Sequence, residues 1–265
     1  MADREPGFDA IVLAGGRGLR MLDADGTHDT DGTHDTDGTR DADHAHHVDH
    51  VEHVRERDKV ALHIGELSLL DRALSAVADA ATTVVVGPRR PTARRPVSRS
   101  SADMIWTRED PPGSGPASAI VHALTLVSRP LVVVIAGDMP FAGTAIPRLL
   151  AAIGNHDAAM LVDGDGRRQP LIAAYAAAAL RARGDGHDWA NRSVRALVEA
   201  LDVVDVAAAP NEALDCDTPD DLARARAVAM ALGPRDDGWP AAAATTQEAA
   251  ARPQSRRTPR SRQGR

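Results

Sequence analysis

Short apolar runs of strand length alternate with stretches of helical spacing along most of this 265-residue chain. The strongest run is Leu131–Ala136, an unbroken aliphatic stretch typical of a strand buried on both faces. Similar runs occupy residues 10–13, 82–86, 158–162 and 203–206. Because strands that alternate with helices usually pair in parallel through crossover connections, the pattern predicts an α/β protein with a doubly wound, mostly parallel sheet.

The intervals between these runs carry apolar residues at helical spacing. Ser193 precedes one such interval and Thr218-Pro219 another, and both patterns are typical of a helix N-terminus. Between residues 163 and 175 a glycine-containing turn predicts a small β-hairpin element whose arginines, Arg167 and Arg168, face an anionic ligand. The spacing predicts helices over residues 67–81, 117–126, 146–153, 176–183, 194–201 and 219–232.

Charge and composition exclude several classes of protein. The formal net charge of −7 argues against general nucleic-acid binding. Cys216 is the only cysteine, so the chain has neither a disulfide framework nor a thiolate metal cluster. No apolar run is long enough to cross a bilayer, and residues 1–6 lack signal-peptide character. We therefore expect a soluble, cytoplasmic protein that binds no membrane.

Two segments have compositions that are unsuited to a packed core. Residues 22–57 contain a six-residue Asp-Gly-Thr-His-Asp-Thr repeat and seven of the eleven histidines. Such a segment has little to bury and is predicted to be a disordered insertion, with a Zn²⁺, Ni²⁺ or Ca²⁺ site as the alternative. Residues 233–265 are predicted to be a disordered basic tail, for which contact with nucleic acid or an acidic partner is the alternative. The folded domain is then expected over residues 8–232.

The first strand ends in a turn suited to phosphate. Gly15 and Gly16 allow close approach of the backbone, and Arg17 and Arg20 follow at once. No Walker loop is present, and Met21 stands where a dinucleotide fingerprint needs its last glycine. These residues alone leave an ordinary strand–turn equally open.

Carboxylates follow later strands in the same way. Asp138 comes directly after the strand 131–136, and Asp215 and Asp217 follow the last one. Ligands of α/β sheets bind outside the carboxyl ends of the strands, so Asp138 is a candidate metal ligand, with a turn or helix-cap carboxylate as the alternative. Backbone donors for phosphate together with carboxylates for a divalent ion favour phosphoryl or nucleotidyl transfer.

Several ordered motifs resemble the MobA-like nucleotidyltransferases. Residues 13–21, followed by Asp58-Lys59, are similar to that family's split signature L-A-G-G-x-x-x-R-M-G-x-x-K. The segments 112–116, 137–141, 169–171 and 217–222 match later motifs in the right order, and the resemblance covers residues 8 to about 232 apart from the insertion. It implies a Rossmann-like nucleotidyltransferase fold.

Within that family the motifs are most similar to the molybdenum cofactor guanylyltransferases. The resemblance implies that Mg²⁺ is the cofactor and that GTP and molybdopterin cofactor are the substrates, with GMP transferred and pyrophosphate released. It implies molybdoenzyme-maturation proteins as partners and a monomer or weak oligomer. Gly15 agrees with the guanylyl branch, since cytidylyl relatives tend to carry alanine there.

The resemblance also assigns roles to individual residues. It implies a catalytic set of Arg20, Lys59 and Asp138, in which the two cations neutralise the triphosphate and Asp138 holds Mg²⁺. Asp217 is implied as a second metal ligand, and Gln169 and Arg195 lie on the side of the acceptor cofactor. The nucleotide is expected to contact Leu13, Ala14, Gly15, Gly16, Lys59, Glu109 and Asp138.

The sequence departs from the family where the triphosphate loop should close. Leu22 follows Met21 in place of glycine, and the long insertion separates Arg20 from Lys59. Two alternatives therefore remain. One is a nucleotidyltransferase for another phosphorylated acceptor, such as a CTP-dependent enzyme acting on a sugar or alcohol phosphate. The other is an inactive paralogue that binds nucleotide or metal.

Overall fold

The structure is a computed structural model that describes residues 7–15, 58–92 and 103–233. Gly16, Arg20, the predicted insertion and the predicted tail lie outside these ranges. The strands are β1 (Phe8–Leu13), β2 (His63–Ile64), β3 (Leu67–Ser68), β4 (Thr82–Val86), β5 (Asp103–Thr107), β6 (Leu131–Ala136), β7 (Ala158–Val162), β8 (Arg168–Ala176) and β9 (Val203–Ala207). The α-helices are α1 (Leu69–Ala76), α2 (Pro116–Leu124), α3 (Ile146–Ala152), α4 (Ala177–Gly184), α5 (Val194–Val198) and α6 (Pro219–Leu232), and 3₁₀ turns cover Lys59–Ala61 and Ala142–Thr144.

Seven strands form the main sheet in the order β5-β4-β1-β6-β8-β7-β9. All neighbouring pairs are parallel except the two that involve β8, which runs antiparallel to both β6 and β7. The prediction of a doubly wound, mostly parallel sheet is therefore confirmed. A second, two-stranded antiparallel sheet joins β2 to β3.

Both faces of the main sheet are buried. Along β1, Ala10 and Val12 face a core cluster that includes α1 and α3, whereas Ile11 and Leu13 face a second cluster with α2, α4 and α5. This alternation follows from the two-residue period of a strand, and it explains why the strand sequences are apolar throughout. No helix in the described ranges has the length and apolar character needed to cross a membrane.

The predicted helix over residues 67–81 is shorter than its apolar spacing indicates. Leu67 and Ser68 pair as a strand with the preceding residues, and the helix begins at Leu69. Ser68 is the N-cap, because its hydroxyl accepts from the backbone N–H of Asp71 while the Asp71 carboxylate accepts from the N–H of Ser68. The helix ends at Ala76. The N-caps predicted at Ser193 and Thr218 are confirmed.

The predicted hairpin over residues 163–175 belongs to the main sheet. Its two arms are β7 and β8, which pair along the sheet with a shift of register between Met160 and Leu161. Arg168, at the start of β8, forms an ion pair with Asp205 of β9 at 2.6 Å. The hairpin is thus part of the scaffold, and the small separate sheet lies elsewhere, at β2 and β3.

Three parallel strands end side by side at the carboxyl edge of the sheet. Leu13 is in register with Val86 on one side and with Ala136 on the other. Gly87 and Gly137 continue from these two strands, and a Cβ on Gly87 would lie 2.6 Å from the carbonyl carbon of Ala14. The backbone at position 87 therefore lies so close to the backbone of Ala14 that only glycine fits there.

Candidate active site

Lys59 lies between two carboxylates that are distant from it in sequence. Its ammonium Nζ is 2.6 Å from Oδ2 of Asp138, and it also donates to Oδ1 of Asp217. The Lys59 side chain is 13% exposed, against 23% for Asp138 and 39% for Asp217. The structure thus brings together three residues that the sequence predicted for one site, and we call them the Lys59 cluster.

The sheet positions the first two members. Asp138 follows β6, and the N–H of Gly137 before it donates to the carbonyl of Leu13 at 2.8 Å. Lys59 begins a 3₁₀ turn whose next residue, Val60, is buried in the same core as Ala14 and Ala136. Burial of Val60 therefore places Lys59 over the carboxyl ends of β1 and β6.

The third member is placed by a loop that folds back across the strand ends. The N–H of Cys216 donates to the carbonyl of Asp138 at 3.1 Å, which brings Asp217 beside it. Thr218 then caps α6. Earlier in the loop, the buried Glu212 accepts from Thr144 at 2.6 Å and pairs with Arg148 of α3. Anchors on both sides thus hold the loop segment that contains Asp217.

The cluster controls the charge of its lysine. Burial desolvates the ammonium and by itself would lower the pKa of Lys59, but the charges and hydrogen bonds of Asp138 and Asp217 outweigh this effect. The pKa of Lys59 is therefore raised above its ordinary value. The side chain is a fixed positive charge at neutral pH and has no free base form to act as a nucleophile.

The pKa values of two neighbouring groups, Asp215 and Cys216, are also raised. Asp215 is exposed on its outer side, yet the burial of its remaining surface and the nearby charges of Asp217 and Asp138 raise its pKa. Burial, assisted by the charge of Asp138, raises the pKa of the Cys216 thiol to about 12. Cys216 is therefore a neutral packing residue.

At the end of β1, most backbone groups are already bonded within the protein. Ala14 donates its N–H to the carbonyl of Val86 at 2.8 Å, and its own carbonyl accepts from Arg90 at 2.7 Å. The Leu13 carbonyl accepts from Gly137. Of the three residues expected to line a nucleotide, Gly15 is exposed while Leu13 and Ala14 are buried. Contact with a nucleotide through the backbone is thus best placed at Gly15.

Arg90 is the residue that sequence reasoning missed. It lies in a basic stretch after β4, yet its side chain is only 12% exposed and pairs with Asp58. The available signal was its position two residues after Gly87-Pro88, at the end of a strand that pairs with β1.

Two other predicted site residues, Glu109 and Gln169, make hydrogen bonds to residues outside the Lys59 cluster. Glu109 accepts from the backbone N–H of Gly113 at 2.8 Å and so shapes its own loop. Gln169 donates to Asp163 at 2.7 Å, and Asp163 lines a cavity of about 630 Å³ that also contains Asp215. None of the three residues of the Lys59 cluster lines this cavity, and Asp215 is its lining residue nearest to Asp217 in sequence.

Arg195 lines a different depression, of about 680 Å³, together with Arg167 and Arg168. That depression shares no lining residue with the cavity at Asp215. The acceptor-side roles of Gln169 and Arg195 stay predictions, as do those of Arg20 and Gly16 outside the described ranges.

The donor chemistry of the cluster fits Mg²⁺. Within the described ranges no group of three or more His, Cys, Asp or Glu side chains forms a metal cage. Mg²⁺ does not require one, because it is usually bound through one or two carboxylates together with substrate phosphates. Asp138 and Asp217 supply two carboxylates around one position, and the ammonium of Lys59 occupies that position.

A mostly parallel sheet with one reversed strand, and a lysine–carboxylate cluster at its carboxyl edge, define a Rossmann-like nucleotidyltransferase. The sequence profile of the MobA-like NTP transferase domain matches residues 10–206, and the chain belongs to that family. Asp215 and Asp217 lie beyond the matched range. None of the curated proteins matches the chain significantly in sequence.

Solved structures share the fold at low identity. The molybdopterin-guanine dinucleotide biosynthesis protein A of Archaeoglobus fulgidus is 21% identical, with a TM-score of 0.55 over 84% of this chain and 100% of its own. A nucleotidyl transferase of Methanothermobacter thermautotrophicus has a TM-score of 0.57 at 18% identity, over 84% and 97% of the two chains. The 4-diphosphocytidyl-2C-methyl-D-erythritol synthase of Anaerococcus prevotii has a TM-score of 0.53 at 12% identity, over 86% and 100%.

Proposed function

We propose that this protein transfers GMP from GTP to the terminal phosphate of molybdenum cofactor (molybdopterin) and releases pyrophosphate. The observation that carries the proposal is the Lys59 cluster, one fixed cation between Asp138 and Asp217; Gly15, which follows β1, is exposed. Nucleotidyl transfer depends mainly on positioning and on neutralising phosphate charge; the cluster offers one cation for this task and two carboxylates that would hold a divalent ion for the rest.

The reaction needs no side-chain nucleophile. An oxygen of the acceptor phosphate forms a bond to the α-phosphorus of GTP, and the bond from that phosphorus to the bridging oxygen of the β-phosphate breaks. The electron pair and negative charge leave with pyrophosphate. Lys59, which is protonated at neutral pH, stabilises that charge as it develops. Arg20 is proposed to act with it.

Asp138 and Asp217 are proposed to hold Mg²⁺, which when bound neutralises the phosphate oxygens and aligns the triphosphate. If both carboxylates held the ion, the ammonium of Lys59, which now bonds to them, would be free to contact the phosphates. The raised pKa keeps it charged in the protein without nucleotide.

The choice of guanine rests on Gly15 and on the resemblance of the surrounding motif. A Cβ at this position would lie 3.7 Å from the carbonyl of Val86, in ordinary contact. The glycine is thus not demanded by packing, which favours a role toward a ligand. The Archaeoglobus protein, named for molybdopterin-guanine dinucleotide, supports this choice.

A second candidate is CTP-dependent transfer to a sugar or alcohol phosphate. The synthase from Anaerococcus prevotii, named for a diphosphocytidyl product, has the same fold and favours this alternative. Pyrophosphate release, measured with GTP or CTP in the presence of Mg²⁺ and either molybdopterin cofactor or an alcohol phosphate, separates the two. Release that requires both GTP and molybdopterin cofactor supports the proposal, and release that requires CTP supports the alternative.

Variants test whether the cluster performs the reaction. Asp138→Asn should reduce pyrophosphate release by about 100-fold or more, the usual scale for losing a charged transition-state contact. Asp220→Asn is the matched control, because Asp220 is an exposed carboxylate in the first turn of α6. A chain without residues 22–57 should keep its turnover, and loss of all activity in it would instead favour a direct role for the insertion.

A further inference from the structure

One guanidinium joins both parts of the chain that border the site. Arg90 donates through Nη1 to the carbonyl of Ala14 at 2.7 Å and to that of Pro88 at 3.0 Å, and through Nε to the carboxylate of Asp58. Asp58 directly precedes Lys59. Ala14 and Asp58 are separated in sequence by residues 15–57, but the side chain of Arg90 bonds to both.

We propose that Arg90 is a positioning residue that holds Lys59 and the end of β1 in a fixed relation to each other. The proposal rests on the proposed function, in which Lys59 acts on a nucleotide bound at Gly15. Arg90 suits this task because β4, which precedes it, is hydrogen-bonded to β1 through the core of the sheet. Its guanidinium therefore extends from the end of a core strand to the residue before Lys59, and adds a polar contact to the packing of Val60.

The contacts of Asp58 support this role. Asp58 is the N-cap of the 3₁₀ turn Lys59–Ala61, but its side chain makes no capping hydrogen bond and pairs with Arg90 instead. The Asp58 side chain is 40% exposed, and an ion pair of this kind contributes little to the free energy of unfolding. The pair is thus better suited to orienting the turn than to stabilising the fold.

The geometry also explains why arginine is needed. Nε and Nη1 lie on the same planar group, so one residue reaches the Asp58 carboxylate and the Ala14 carbonyl together. A lysine at this position would offer a single ammonium on a flexible stem. We therefore expect Arg90→Lys to keep one of the two contacts and to restore function only in part.

The environment of the Lys59 side chain can be measured directly by NMR. It is the only lysine of the chain, so protein grown with ¹³C-labelled lysine gives one lysine side-chain signal in NMR. The εCH₂ signal should shift in Arg90→Gln and in Asp58→Asn, and it should stay unchanged in Arg89→Gln, where an exposed neighbouring arginine is lost. An unshifted signal in both Arg90→Gln and Asp58→Asn would overturn the proposal, and this test does not depend on whether the wild-type protein shows enzymatic activity.

Steady-state kinetics separate positioning from a general structural effect. Asp58→Asn should lower kcat by about 10- to 100-fold with an unchanged KM for GTP, the scale expected when a catalytic group is misplaced by about an ångström. Arg90→Gln should lower kcat at least as much and also raise KM, since it also releases Ala14. A purely structural role would lower Tm and the amount of folded protein without this split between kcat and KM.

Failure of the positioning role of Arg90 and failure of the proposed function give different experimental results. A wild-type protein that releases no pyrophosphate with any acceptor contradicts the proposed function, while the NMR comparison still decides the role of Arg90. Conversely, an active wild-type enzyme whose Arg90→Gln and Arg89→Gln variants have equal kcat and KM contradicts the positioning role alone.

Discussion

Replacing Lys59 by methionine tests the physical basis of the site without any substrate. The substitution keeps an unbranched apolar stem of similar reach but removes the charge between Asp138 and Asp217. The contact with Asp138 is a charge-assisted hydrogen bond between largely buried groups, for which roughly 1.5–3 kcal/mol is typical. The contact with the more exposed Asp217 is screened by solvent and adds about 0–1 kcal/mol.

We therefore expect Lys59→Met to lower the free energy of unfolding by about 2–3 kcal/mol at neutral pH. For a domain of this size the loss corresponds to a decrease in Tm of roughly 5–10 °C. Thermal and urea unfolding of the purified protein measure it. Lys59→Arg is the matched control, since it keeps the charge and should recover most of the loss.

The effect has a defined pH dependence. The folded-state pKa of Lys59 is raised above the ordinary value of 10.5, so its stabilisation is fully present below that value and is lost as the pH rises through the folded-state pKa. The difference between wild type and Lys59→Met should be constant near neutral pH and shrink only in alkali above 10.5. Equal stability at neutral pH, or a difference that disappears below pH 9 (roughly one to two units under the ordinary value), would refute the electrostatic account.

Three further results are expected. Mg²⁺ should raise the Tm of Lys59→Met more than that of the wild type, because the ion no longer competes with the ammonium for Asp138; an equal rise would argue against a shared site. Gly15→Ala should leave Tm nearly unchanged, since its Cβ makes only ordinary contacts, but should raise the KM for GTP relative to CTP, and steady-state kinetics with both nucleotides check this. Asp215→Asn should raise Tm slightly at neutral pH, where a carboxyl with a raised pKa is ionised at a cost. That gain should vanish as the pH falls through the folded-state pKa of Asp215, and a gain that grew in acid would contradict the sign.

Local sequence determined the elements of this protein and the edge at which its site lies. The aliphatic runs form the predicted strands because a strand buried on both faces needs apolar residues at every position. Ser193 and Thr218 cap helices as predicted, because capping involves residues only three apart. Asp138 lies at the carboxyl edge because only Gly137 separates it from the end of β6. Each of these features depends on neighbours along the chain.

Tertiary structure brings the side chains of the site together, and only the resemblance to a family, not any local pattern, predicted that Lys59, Asp138 and Asp217 share one site. Lys59 and Asp138 are 79 residues apart and Lys59 and Asp217 are 158 apart, and their contacts depend on how a 3₁₀ turn and a loop pack over the ends of β1 and β6. The side chain of Arg90, in a basic stretch of the sequence, is mostly buried because it reaches across to Ala14 and Asp58. Such contacts are set by strand order and by packing between elements, and neither hydrophobic periodicity nor capping preference contains that information.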